Sequence, residues 1–208
     1  MGGAKTVTNE VKHPFDGWDV NNDYPAMMSL IIDWETYQAN ELGRWLLANF
    51  NPERVIDVGC GPGNYLIPFK DSGCNIHGVD ACPTGGELLA HGEFERVDLR
   101  FPYQPEHRFD LAICIEVAEH LERRWSECLV DTLARCSDLI VFTAATPNQG
   151  GTCHFNEQPH EFWLDMFRER HGYKIHSLHD NLRAFLEGLP PDHCQGWLKA
   201  NIFLLVRG

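Results

Sequence analysis

Along this chain apolar residues fall into short runs separated by polar turns. The first long pattern is helical. Met28, Leu30, Ile31, Trp34 and Tyr37, then Leu42, Trp45, Leu46, Leu47 and Phe50, recur between polar neighbours and predict a helix from Pro25 to Phe50. Beyond it the period changes. Apolar, often β-branched runs predict strands at 54–58, 75–79, 94–97, 109–115, 138–144, 173–178 and 201–206. Helices are predicted between them at 63–71, 83–90, 120–136, 157–170 and 180–187. This alternation implies an α/β fold, a mostly parallel sheet with helices on both faces. The final run, Ala200 to Val206, is apolar almost throughout and belongs in a covered position.

Composition narrows the class. A chain of 208 residues with 43% hydrophobic content suits one domain with a sizeable core. No apolar run approaches the ~20 residues that span a bilayer, and residues 1–5 lack the apolar stretch of a secretory signal. Cysteines 60, 74, 82, 114, 128, 136, 153 and 194 form no Cys-x-x-Cys pair, which reads as reduced thiols in a cytoplasmic protein. The net charge of −13 argues against a nucleic-acid partner. Residues 1–24 read as an irregular N-terminal arm. Its Phe15, Trp18 and Tyr24 either dock on the domain surface or form a lid, and residues 25–208 form the domain.

The candidate chemistry begins at Val55-Ile56-Asp57-Val58-Gly59-Cys60-Gly61-Pro62-Gly63-Asn64, a strand that breaks into glycines and then a helix. Glycine there lets main chain approach a ligand and tolerates positive φ. A dinucleotide fingerprint requires glycine at position 64, where Asn stands, and a P-loop requires Gly-Lys-Ser/Thr, which is absent. The acid followed by Gly-x-Gly-x-Gly resembles motif I of the class I S-adenosylmethionine-dependent methyltransferases. That resemblance implies a Rossmann-like sheet of seven strands, the last antiparallel and inserted beside the fifth, and it implies S-adenosylmethionine as cofactor.

Ligands of such sheets lie beyond the C-terminal strand ends. The resemblance therefore assigns cofactor contacts to Asp57, Gly59, Cys60, Gly61 and Gly63 after the first strand. After the second it assigns Asp80, whose carboxylate would accept both ribose hydroxyls, with Ala81. After the third it assigns Asp98, toward the adenine amine, and after the fourth Ile115 and Glu116. The fourth-strand exit, Glu116-Val117-Ala118-Glu119-His120, is similar to that of ubiquinone-pathway O-methyltransferases and of the Hen family that methylates small-RNA 3′ ends. In those relatives the two Glu and the His ligate a divalent metal, such as Mg²⁺ or Mn²⁺, and a downstream His completes the set. Here the matching residues are Glu116, Glu119, His120 and His154. At i, i+3 and i+4 the first three would share one face of a helical turn. The alternative is a metal-free segment in which Glu116 contacts backbone and His120 packs, and either His120 or His154 then serves as general base. Asn156 and Gln158 are candidate donors for a polar substrate, while His160 is expected at the surface. The pair His176 and His179, with His193 and Cys194, is a weaker metal candidate. A small-molecule methyl acceptor, O-methylated in preference to N-methylated, is the expected partner. An RNA 3′ end and a non-catalytic S-adenosylmethionine-binding module are the alternatives. Acceptor identity and oligomeric state are not legible.

Overall fold

The computed structural model describes residues 23–82 and 85–208. The expected arm lies outside them except for Asp23 and Tyr24, which open a helix. The elements are α1 (Asp23–Phe50), β1 (Arg54–Val58), α2 (Ile67–Asp71), β2 (Asn75–Asp80), β3 (Phe94–Arg96), β4 (Leu111–Cys114), α3 (Ser126–Cys136), β5 (Leu139–Phe142), α4 (His160–His171), β6 (Tyr173–Ile175), α5 (His179–Glu187), α6 (Gly196–Asn201) and β7 (Phe203–Arg207). One seven-stranded sheet runs in the order β3-β2-β1-β4-β5-β7-β6. The first five strands pair in parallel. β7 is antiparallel to both β5 and β6. All seven predicted strands exist, and the apolar last one is inserted where its composition requires.

Strand side chains alternate between two cores, as the two-residue period dictates. Ile56, Ala112, Cys114, Ile140, Phe142, Phe203 and Leu205 face one side, where α3 supplies Leu129 and Leu133 and α4 supplies Trp163 and Phe167. Val55, Leu111, Ile113, Val141 and Leu204 face the other, against Leu42 and Leu46 of α1, Phe69 of α2, Leu182 and Leu186 of α5 and Leu198 of α6. Strands covered on both faces read as continuous apolar runs, which is why they were legible.

Three local expectations give way. The helix predicted at 83–90 is a series of turns over 85–88. Gly86 sits at φ +68, donates its N–H to the Gly61 carbonyl (2.7 Å), and packs so tightly on Phe94 that any Cβ would overlap the ring. The helix predicted from 120 begins at Ser126, because two separate 3₁₀ turns, 118–120 and 123–125, occupy the start. Helix α6 was not foreseen, since its six residues are too few to show a period.

Phe167 is fully buried, edge-on to Phe142 (5.2 Å) and Tyr173 (5.7 Å). Phe167→Ala should cost about 3–5 kcal/mol, read as a lowered denaturant midpoint at constant m-value. A loss under about 1 kcal/mol would mean that α4 does not seal this core.

Candidate functional site

The glycine turn after β1 is built from inside. Gly59, Gly61 and Gly63 stand at φ +83, +50 and +104, all left-handed. The Gly59 and Cys60 N–H groups both donate to the Val79 carbonyl (2.7 and 3.0 Å), and Gly63 N–H donates to the Cys60 carbonyl (2.9 Å). Gly61 N–H donates to Asp80 Oδ2 (2.9 Å). The turn thus spends these amides within the protein instead of presenting them as a phosphate nest. A Cβ at Gly59 would overlap Val117 and one at Gly63 would crowd Leu89. These two glycines serve loop packing, where sequence reasoning had given them to ligand approach.

Carboxylates gather where β1 and β4 part. Asp57, one residue before the end of β1, is almost fully buried, and Asp80 closes β2 with Oδ1 accepting from Cys82 N–H (2.7 Å). Glu35, on the inner face of α1, joins them. Its pKa is pushed up to about 8, first by burial and then by the Glu116 charge, against the Tyr65 hydroxyl. Asp57 is also raised, by burial and then by Asp80 and Glu35. None of the shifts at Glu35, Asp57 or Asp80 comes from a lysine or arginine among the described residues. Such a crevice suits a cationic ligand. Glu35 was missed in the sequence, although it carried a signal. It lies on the same stripe as Gln38, Ala39, Leu42 and Leu46, which are buried, so a carboxylate there is out of place on a core face.

Other cofactor candidates stand as follows. The Ala81 carbonyl accepts from Arg96 Nε (3.1 Å). Asp98, expected to meet adenine, takes a bidentate grip from the Arg100 guanidinium (2.6 and 2.9 Å). Ile115 is buried beside Glu116, whose backbone is left-handed at φ +50. Glu116 N–H donates to Thr143 Oγ1 (2.8 Å). This backbone turn separates Glu116 from the helical geometry expected of Glu-x-x-Glu-His. Only 118–120 is helical, and the Glu116 carboxylate accepts from Gln149 Nε2 (2.8 Å) and Asn201 Nδ2 (3.3 Å).

Glu119, His120 and His154 do converge, with ligand atoms within 4.8 Å of one another, the one such group of metal-binding residues among the described residues. The loop that brings His154 in is pinned to the second glutamate, whose carbonyl accepts from Phe155 N–H (2.8 Å) and Asn156 N–H (3.1 Å). The Glu119 carboxylate is fully buried and neither oxygen has a hydrogen-bond partner. Burial, then Glu116, raises its pKa. His120 Nδ1 donates to the Cys153 carbonyl (3.2 Å) and His154 Nδ1 to Glu157 Oε1 (3.1 Å). Both rings therefore keep Nε2 free, the arrangement that second-shell acceptors impose on ligating histidines. Burial, then His154, lowers His120 to about 4, so it is neutral near pH 7. Gly151 makes room, since a Cβ there would collide with the His154 ring. A buried carboxylate within 4.8 Å of two imidazoles could hold a divalent cation.

The remaining candidates serve the scaffold. Asn156 is buried and donates to Ser126 Oγ (3.0 Å) while accepting from Gln158 Nε2 (2.9 Å), so both amides brace the loop. His160 is not a free surface residue. It donates to Asn201 Oδ1 (3.3 Å) and meets Phe203 edge-on (4.9 Å). His176 and His179 are not brought together with His193 and Cys194 as a metal set.

The family model described as "Methyltransferase domain" matches residues 34–187. The chain belongs to the class I S-adenosylmethionine-dependent methyltransferases. Ubiquinone biosynthesis O-methyltransferase of Rhodopseudomonas palustris is 32% identical to this methyltransferase over 75 residues, 33% of this chain and 30% of that protein. Magnesium-protoporphyrin O-methyltransferase of Synechocystis sp. is 26% identical over 117 residues, 51% of each. The chain spans no more than about half the length of these curated relatives. Among solved structures, magnesium protoporphyrin IX methyltransferase from Synechocystis with bound SAM aligns at a TM-score of 0.58 and 20% identity, covering 83% of this chain and 79% of that one. A plantazolicin methyltransferase with a substrate analogue and SAH aligns at 0.57 and 15%, covering 90% and 93%. At these identities the structural likeness bears on the fold. It is the fold inferred from the glycine motif. Among the described residues no helix of the methyltransferase is long and apolar enough to cross a membrane.

Glu35 makes ligand-free stability depend on pH. Its folded pKa of about 8 lies above the ordinary glutamate value of 4.5, so its stabilising contribution is complete below 4.5 and is lost as pH rises through 8. Glu35→Gln should therefore raise Tm over the wild type by little at pH 5 and by clearly more at pH 8.5, measured by differential scanning calorimetry. An equal Tm difference at both pH values would place Glu35 in water.

Proposed function

We propose that this methyltransferase moves the S-adenosylmethionine methyl group to a hydroxyl oxygen of a small molecule, beside a divalent ion held by Glu119, His120 and His154. One observation carries the reading of the acceptor side. His120 and His154, each with Nδ1 tied to an oxygen acceptor, bring a ring nitrogen within 4.8 Å of the buried Glu119 carboxylate. The O-methyltransferase names of the curated relatives support oxygen as the acceptor atom.

On the cofactor side, the loop geometry favours a nucleoside without phosphates, because its amides are already used. In this reading Asp80, which holds the loop, also takes the ribose hydroxyls. Asp57, Glu35 and Glu116 give the crevice the negative potential that a sulfonium requires. Methyl transfer needs mainly alignment and exclusion of water, since the sulfonium carbon is already activated. The acceptor oxygen forms the new bond to carbon, the sulfur keeps the electron pair of the broken one, and the hydroxyl proton passes to a base. In a site without the ion His154 Nε2 would take that proton, its other nitrogen being turned to Glu157. A divalent ion, when bound, lowers the pKa of a coordinated acceptor hydroxyl.

A small acceptor is favoured over an RNA end by the net charge of −13. Eight free cysteines fit residence in the reducing cytoplasm.

Two measurements test this. Calorimetry should show S-adenosylmethionine binding, weakened by about 1–3 kcal/mol in Asp80→Ala through unpaired ribose hydroxyls; unchanged affinity refutes that placement. Mn²⁺ titration followed by electron paramagnetic resonance should show one site that Glu119→Gln and His154→Gln each remove. A wild type that leaves Mn²⁺ free in solution ends the metal reading and leaves the cofactor reading intact.

A further inference from the structure

We propose that Arg123 is a specificity-determining residue that pairs with an anionic group of the methyl acceptor, and that the acceptor is a hydroxylated aromatic acid. This deepens the small-molecule reading above and rests on it. The 3₁₀ turn 123–125 lies at the site end of the sheet, in the segment that leaves β4, and α4 follows the loop that leaves β5. Arg123 joins the two. Its guanidinium lies over the ring of Phe162, in the first turn of α4, at 5.1 Å from the centroid. His120 stands three residues earlier, so the two Cα atoms are at most about 11 Å apart. One aromatic ring with a hydroxyl at one end and a carboxylate at the other suits a gap of that order.

The other arginines at this end are already engaged. The Arg100 guanidinium grips Asp98, and Arg124 donates to Glu122 Oε1 (2.8 Å). Arg96 Nε donates to the Ala81 carbonyl (3.1 Å). Among the described residues Arg123 pairs with no carboxylate, and its contact is the Phe162 ring. Stacking covers a face of the guanidinium and leaves the N–H donors in its plane for a ligand. Arginine keeps its charge throughout the working pH range. The net charge of −13 would repel an anion from afar. Exposed charges are screened over about 8 Å at physiological salt, so the nearest groups decide. Glu122, the adjacent acid in the chain, is taken by Arg124.

Aromatic surface accompanies the cation. Trp125, in the same turn, meets Phe101 at 6.1 Å. Phe101 is 51% exposed, and Phe155, next to His154 in the chain, is 48% exposed. Of the four exposed large apolar side chains among the described residues, these two follow β3 and β5 at the site end. Flat rings stack on such surface, and a guanidinium fork matches a carboxylate. An aliphatic or cationic acceptor would use neither.

The full chain, saturated with S-adenosylhomocysteine, is titrated calorimetrically with 4-hydroxybenzoate and with 4-hydroxybenzamide, a neutral probe of nearly the same shape. Wild type should bind the acid roughly tenfold more tightly than the amide. Arg123→Gln should bring the two Kd values together by weakening the acid alone. Arg124→Gln removes a guanidinium that Glu122 already holds, and should keep the wild-type ratio. The proposal is overturned by equal affinities in the wild type, by a preference for the acid that survives Arg123→Gln, by an equal loss in Arg124→Gln, or by a wild type that binds S-adenosylhomocysteine and neither ring. A chain that fails to bind S-adenosylhomocysteine overturns the cofactor reading, and this inference falls with it.

Discussion

The bond from Gly61 N–H to Asp80 Oδ2 is the constraint on which the site depends. It ties the first crossover to the end of β2, and Asp80's other oxygen caps Cys82 N–H in the turn that follows. With Gly59 and Cys60 both bonded to the Val79 carbonyl, the loop cannot close over the sheet. Neighbouring segments take their places from it. Gly86 donates to the Gly61 carbonyl, so the stretch after β2 folds as turns against the loop and leaves the crevice between β1 and β4 open. The buried Asp80 carboxylate that accepts from main-chain amides works as structure. Burial raises the Asp80 pKa, and the amides of Cys82, Gly61 and Ala81 oppose that rise.

Much of this was legible in the residues. Buried parallel strands write themselves as apolar runs, and the glycine spacing discriminated among nucleotide folds. Asp57, Asp80, Glu119, His120 and His154 stand at the site end of the sheet. The rest was hidden for identifiable reasons. Glu116 was placed on a helical turn because spacing cannot reveal a residue held at φ +50 by Thr143. Gln149 and Asn201 are 52 residues apart in the chain and meet only through the fold. Glu35 was masked by the apolar helix around it. Asn156 and Gln158 looked like substrate donors because an amide carries no mark of whether its partner is solvent or Ser126.

The site is also where the chain accepts unfavourable placements. Glu119 is sealed from water, and Asp80 and Glu35 both raise the cost of ionising Asp57. Four non-glycine residues adopt positive φ among the described residues, and three of them, Glu116, Asn148 and Cys153, belong to this corner. Local rules are broken together at this corner.

The antiparallel insertion of β7 couples this corner to the far end of the chain. Asn201 reaches Glu116 across 85 residues, and it does so at the residue that ends α6, immediately before β7 enters between β5 and β6. That contact therefore cannot assemble from local segments. It forms only after the longest-range pairing of the sheet is complete, late in the ordering of contacts. Fraying of the β6–β7 edge would release the carboxylate before the central strands notice, so hydrogen exchange at that margin and loss of ligand would rise together as one event.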